Sequence, residues 1–138
     1  EIKKYEKRKN VLEIKISFLK CLWGDVLHFT TVSPIEIINS LHEIGFRTKI
    51  QAWYKIDTDD LNKNKAIIYL YKNDEITKSD FIKFDSSNLI KYNKLPIRTK
   101  EYYIKEFEKK KNPLLFCYIP HVLYKNSLDI TNSEIIKI

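Results

Sequence analysis

Apolar and polar residues follow two different periods along this chain. From Val11 to Leu19 they alternate, Leu12, Ile14, Ile16 and Phe18 against Glu13, Lys15 and Ser17, the pattern of a strand with one buried face. After a turn at Gly24-Asp25, the β-branched run from Val26 to Val32 predicts a second strand that pairs back on the first. The period then lengthens. Ile35, Ile38, Leu41 and either His42 or Ile44 recur at helical spacing, and both ends of that helix are marked. Ser33 and Glu36 stand at capping-box spacing with Pro34 at the first helical position, and Gly45 falls where a left-handed residue closes a helix. A helix is predicted over 34–44.

From Phe46 the period returns to two. Thr48, Ile50, Ala52, Tyr54 and Ile56 fall on one face, read as core, while Arg47, Lys49, Gln51, Trp53 and Lys55 fall on the other. The polar stretch 57–65 reads as a loop, and Ala66 to Lys72 resumes as a strand that completes a long-tipped hairpin with 46–56. Asn73-Asp74-Glu75 is a turn, Phe81 to Phe84 a short strand, and Asp85 to Asn88 a turn before Leu89 to Tyr92. Thr99 is placed to cap a helix from Lys100 to about Lys110, with Tyr103, Ile104 and Phe107 on its buried stripe. Leu114 to Ile119, apolar on both faces, reads as a central strand ending at Pro120, with His121 to Tyr124 extending it past a bend. The expected fold class is α+β: two layers, a mainly antiparallel sheet of five to six strands and two helices. The order of elements is compatible with a split βαβ (ferredoxin-like) arrangement.

Composition narrows the classes. The 138 residues suit one domain, with residues 1–10 as a basic arm and 11–138 as the folded unit. With 43% hydrophobic and 31% charged residues the chain is expected to fold, and no apolar run approaches the roughly 20 residues of a transmembrane helix. The chain opens with Glu1 and contains no methionine, so the N-terminus is read as missing or processed. The formal charge of +7 points towards nucleic acid or an anionic membrane surface. Only Arg8, Arg47 and Arg98 among the 25 basic residues are arginine, however, and Ile, Asn and Tyr are abundant. A coding bias towards lysine accounts for much of that charge without a partner. Cys21 and Cys117 both lie in apolar surroundings outside any repeated spacing, and read as buried thiols. Ten asparagines produce no Asn-x-Ser/Thr acceptor site, which favours an intracellular chain.

Few residues fall into patterns that carry chemistry. The acidic run from Asp57 begins like a calcium loop but has Leu61 at position five, Asn62 where glycine is needed and Ile68 where a bidentate glutamate is needed. Glu13-Ile14-Lys15 resembles half of a metal-dependent nuclease site, with only Glu1 and Glu6 upstream as further acids. His28, His42 and His121 have no companion at zinc-ligand spacing, and two glycines cannot build a phosphate-cradling loop. No metal, cofactor or catalytic set is expected. What remains is a face on which Arg47, Lys49, Trp53 and Lys55 stand beside Tyr69 and Tyr71 of the following strand. The reading is a non-enzymatic interaction or assembly module that binds a protein partner or a second copy. The alternative is RNA or single-stranded nucleic acid on that cationic, aromatic face.

Overall fold

The structure is a computed structural model that describes residues 15–16, 18–72, 76–131 and 133–138. The basic arm, most of the first predicted strand and the 73–75 turn lie outside the described residues. The fold is α+β. A hairpin, β1 (Lys15–Ile16) and β2 (Cys21–Leu22), is followed by β3 (Leu27–Thr30), helix α1 (Pro34–Ile44), β4 (Ala52–Lys55), β5 (Ala66–Tyr69) and β6 (Phe81–Lys83). Helices α2 (Ser86–Lys91) and α3 (Ile97–Glu108), then β7 (His121–Tyr124) and β8 (Glu134–Lys137), complete the chain. Four strands form one antiparallel sheet in the order β3-β7-β5-β6, and β4 pairs with β8 in a separate antiparallel ribbon.

Helix α1 has the predicted bounds, and its cap differs in one partner. Ser33 Oγ accepts from the Ile35 N–H at 3.3 Å, whereas the Glu36 carboxylate turns away from the helix end and accepts from the Leu95 N–H at 3.0 Å. The capping box is thus opened, and its acid ties α1 to the segment that leads into α3. At the other end Gly45 has φ +123°, the Gly45 N–H reaches the His42 carbonyl at 3.1 Å and the Phe46 N–H reaches the Leu41 carbonyl at 3.0 Å, the paired bonds of a Schellman closure. The buried positions are Ile37, Ile38, Ser40 and Leu41, so the core-facing stripe is rotated away from Ile35. Ser33→Ala is expected to cost about 1 kcal/mol, read as a shift of the urea midpoint at unchanged slope.

Parity along the central strands divides the core. Ile67, Tyr69 and Leu123 face a cluster with Ile16, Leu19, Trp23 and Val26; Ala66, Ile68, Val122 and Tyr124 face another with Leu61, Leu70 and Phe84. A third cluster joins α1 and α3 through Ile38, Leu41, Tyr103 and Ile119. Because the sheet is covered on both faces, β5 is buried at all four positions. Thr99, expected as a cap, is instead inside α3 and fully buried, donating to the Cys117 carbonyl at 2.8 Å, and Pro96 takes the capping position. Tyr103 donates to the Leu115 carbonyl, and burial pushes its phenol up. Of the other two residues assigned to that stripe, Ile104 and Phe107 are exposed.

Several expectations are corrected. The 46–56 strand is regular only over Ala52–Lys55, and β4 pairs with β8 instead of forming a hairpin with β5. Among the described residues the 26–32 strand pairs with β7, and what is described of the first strand, β1, pairs with β2. Asp85 accepts from the Asn88 N–H at 2.8 Å and caps a short helix where a turn was read; the bond holds its carboxyl below the usual carboxylate range. Residues 115–118 form turns, and the central strand begins only at His121, after Pro120. Within the apolar run 114–119 only Cys117 and Ile119 are buried, and Thr99 and Tyr103 of α3 take up the Cys117 and Leu115 carbonyls that a ladder would otherwise pair. The strand–helix–strand unit β3-α1-β4 also ends in a different sheet from the one in which it starts, so no parallel split βαβ core exists among the described strands.

Candidate functional site

A groove of about 600 Å³ opens between the edge of the four-stranded sheet and the β4–β8 ribbon, a volume in the ordinary range of ligand pockets. Its floor is one face of the sheet: Phe29 and Val122, directly opposite in the β3–β7 register, with Phe84 and Leu61. One wall is the chain that leaves β3 and turns into α1, from Thr30 to Ile35. Thr31 holds that wall, its N–H reaching the Pro120 carbonyl at 3.4 Å and its hydroxyl donating to the Tyr92 carbonyl at 2.7 Å. The facing wall is Trp53 to Lys55 of β4 and Ile56 after it, with Ile136 of β8, and α2 supplies Leu89 and Ile90 at the lip. The rotation of α1 noted above leaves Ile35 pointing away from the core and into this groove.

The electrostatics are sparse. Lys55 is the single charged side chain in the lining. It stands 3.8 Å from Glu134, its cross-strand neighbour, with both side chains two-thirds exposed, a geometry in which an ion pair contributes little. Trp53 is half-buried, set edge-on to Phe116 at 5.8 Å, with its Nε1 buried and without a hydrogen-bond partner among the described residues. Among the described residues no group of three or more His, Cys, Asp or Glu side chains is placed to hold a metal ion. No helix of the described residues is long and apolar enough to cross a membrane.

The residues selected from sequence are not gathered in one place. Arg47 and Lys49 lie on the irregular segment before β4 and are exposed. Trp53 and Lys55 belong to the groove. Tyr69 is 2% exposed in β5, inside the cluster with Trp23 and Leu123, and Tyr71 follows it beside Tyr118, with ring centroids 5.5 Å apart. Since β5 pairs with β6 and β7 and not with β4, Tyr69 and Tyr71 do not neighbour Trp53 in a sheet. The face of 46–56 read as core is covered only in part: Ile50 and Tyr54 are 82% and 53% exposed while Ile56 packs on the cluster of Ile68 and Val122, and on the opposite face Trp53 turns inward while Arg47, Lys49, Gln51 and Lys55 stay exposed. Ile35, Ile90 and Ile136 of the groove were not selected: the spacing puts Ile35 on the core stripe of α1, and no local pattern marks the other two. No protein-family model matches this chain, and no curated protein or solved structure matches it.

Proposed function

We propose that the chain is a non-enzymatic module that binds a protein partner in the groove between β3 and β4. The observation that carries the reading is the apolar rim: Ile35, Tyr54 and Ile90 stand around one opening with 47%, 53% and 70% of their surface exposed. Three large side chains left in water around a cavity are the surface feature that a protein contact removes. The lining also favours binding over catalysis, because its polar side chains are hydroxyls, one amide, one indole and one lysine, and among the described residues no histidine or carboxylate is part of it; the carboxylate beside Lys55, that of Glu134, is engaged with it in an exposed contact. Nucleic acid is the weaker alternative, since the aromatic rings it would stack on are divided between the groove and a buried cluster.

The test places a photo-crosslinking residue at Ile90, on the rim, and at Ile97, which is 75% exposed and does not line the groove. In cells that make the protein, position 90 is expected to yield a discrete adduct that protease removes and nuclease leaves intact, and Ile35→Asp is expected to abolish it. Equal labelling from positions 90 and 97, an adduct sensitive to nuclease, or no adduct would each overturn the reading. An adduct of twice the chain mass would identify the partner as a second copy.

A further inference from the structure

We propose that the segment taken by the groove is an extended, apolar peptide that adds as a strand to the free edge of β4 and sets a carboxylate against Lys55. The inference rests on the protein-binding reading and names the form of the bound element. Gln51 and Ile138 exchange both backbone bonds, at 2.9 Å and 3.1 Å. In an antiparallel ladder such exchanged pairs alternate with pairs whose N–H and C=O groups point away from each other. In the same register Trp53 faces Ile136 and Lys55 faces Glu134. The N–H and C=O groups of Ala52 and Tyr54 therefore turn to the edge of β4 that β8 does not occupy. Among the described residues no hydrogen bond from outside that ladder reaches any of these four groups. An edge with alternate outward donors and acceptors is the template on which a peptide strand is added.

The groove runs along that edge. A cavity over one face of a strand is lined by alternate residues, since side chains alternate between faces; here three consecutive residues of β4, Trp53 to Lys55, line it, with Ile56 just beyond the strand. A helix satisfies its own backbone and would leave the outward groups of Ala52 and Tyr54 as they are, whereas a strand pairs them. The side chains of the segment follow from the lining: apolar where they face Phe29, Val122 and Ile136, and acidic where they meet Lys55, the one charged side chain among the described residues of the lining. The exposed contact of Lys55 with Glu134, at 3.8 Å, is weak enough for an incoming carboxylate to replace.

The test selects a displayed library of random twelve-residue peptides on the intact chain and follows the enriched peptides by fluorescence anisotropy. The expected peptides alternate apolar with polar residues, carry an Asp or Glu, and lose binding to the Ile90→Asp protein. N-methylating alternate amides in one phase should weaken binding about tenfold, the loss of two hydrogen bonds, and methylation in the other phase should leave it within about twofold. Tyr54→Pro removes one outward N–H and no ladder bond and should weaken binding clearly more than Tyr54→Val; if the proline variant does not fold, the methylated pair decides alone. Lys55→Glu should weaken binding about fivefold, less in high salt. Peptides with helical i, i+3, i+4 spacing, peptides indifferent to methylation in both phases, or failure to enrich any that depend on Ile90 would overturn the proposal. A polypeptide adduct from position 90 together with any of those results removes the strand alone; loss of the adduct as well removes the binding reading with it.

Discussion

Leu123→Ala is expected to destabilise the fold by about 2 to 5 kcal/mol, the cost of a cavity at a fully buried leucine. Leu123 is 0% exposed on β7, the strand that joins β3 to β5, and its side chain fills the cluster of Trp23, Ile67 and Tyr69. It lies opposite His28 on one side and Ile67 on the other, so neighbours on both strands are held in position and the site has little room to collapse. Against a typical total stability of 5 to 15 kcal/mol the loss is large, and it is read from urea unfolding with the slope checked for two-state behaviour. Ile104→Ala is the comparison, because Ile104 is 45% exposed on α3 and should lose less than about 1 kcal/mol. Similar losses at the two positions would contradict the strand order that makes β7 interior.

Gly45→Val should cost roughly 2 to 4 kcal/mol, from two terms that can be separated. The first is conformational: φ +123° is a region that a β-branched residue avoids. The second is steric, since a Cβ at Gly45 would sit 2.8 Å from Cζ and 2.9 Å from Cε1 of Phe107. Phe107 is itself fixed edge-on against Phe46, with ring centroids 5.1 Å apart, which limits its retreat. In the Phe107→Ala background the same substitution should cost less by about 1 kcal/mol, a coupling that leaves the backbone term intact. Full additivity would mean that Phe107 moves aside freely, and no loss at all from Gly45→Val would contradict the helix closure.

The two experiments address different kinds of information. Gly45 was legible because a helix end is a local event: proline at the first position, a hydroxyl before it and a glycine after the last turn act within five residues. Leu123 was read only within an extension past Pro120, the central strand being placed at 114–119, and nothing local says that the interior strand is the 121–124 segment. Its centrality comes from partners at Leu27–Thr30 and Ala66–Tyr69, far away in the chain. The groove shows the same division. Trp53 and Lys55 were selected from their alternation and do line it; Tyr69 and Tyr71 were joined to them by assuming that consecutive strands pair. That is a common outcome, but here β8 takes the place of β5 beside β4.

By itself, the sequence determined the α+β class, the bounds of α1 with its closing glycine, the turn at Gly24-Asp25 and the strand character of 66–69 and 81–83. These follow from propensities and caps whose energies act between near neighbours. Tertiary structure alone decided which face of 46–56 is covered. Alternation says that two faces differ, and only the packing of Trp53 on Phe116 and of β4 on β8 selects the inward one. It also decided that the apolar run 114–119 is a turn, since hydroxyls from α3 satisfy its carbonyls in place of a ladder, and that Ile35 faces a groove instead of the core. Each of these depends on contacts between residues distant in the chain, whose formation closes long loops and whose identity no local pattern carries.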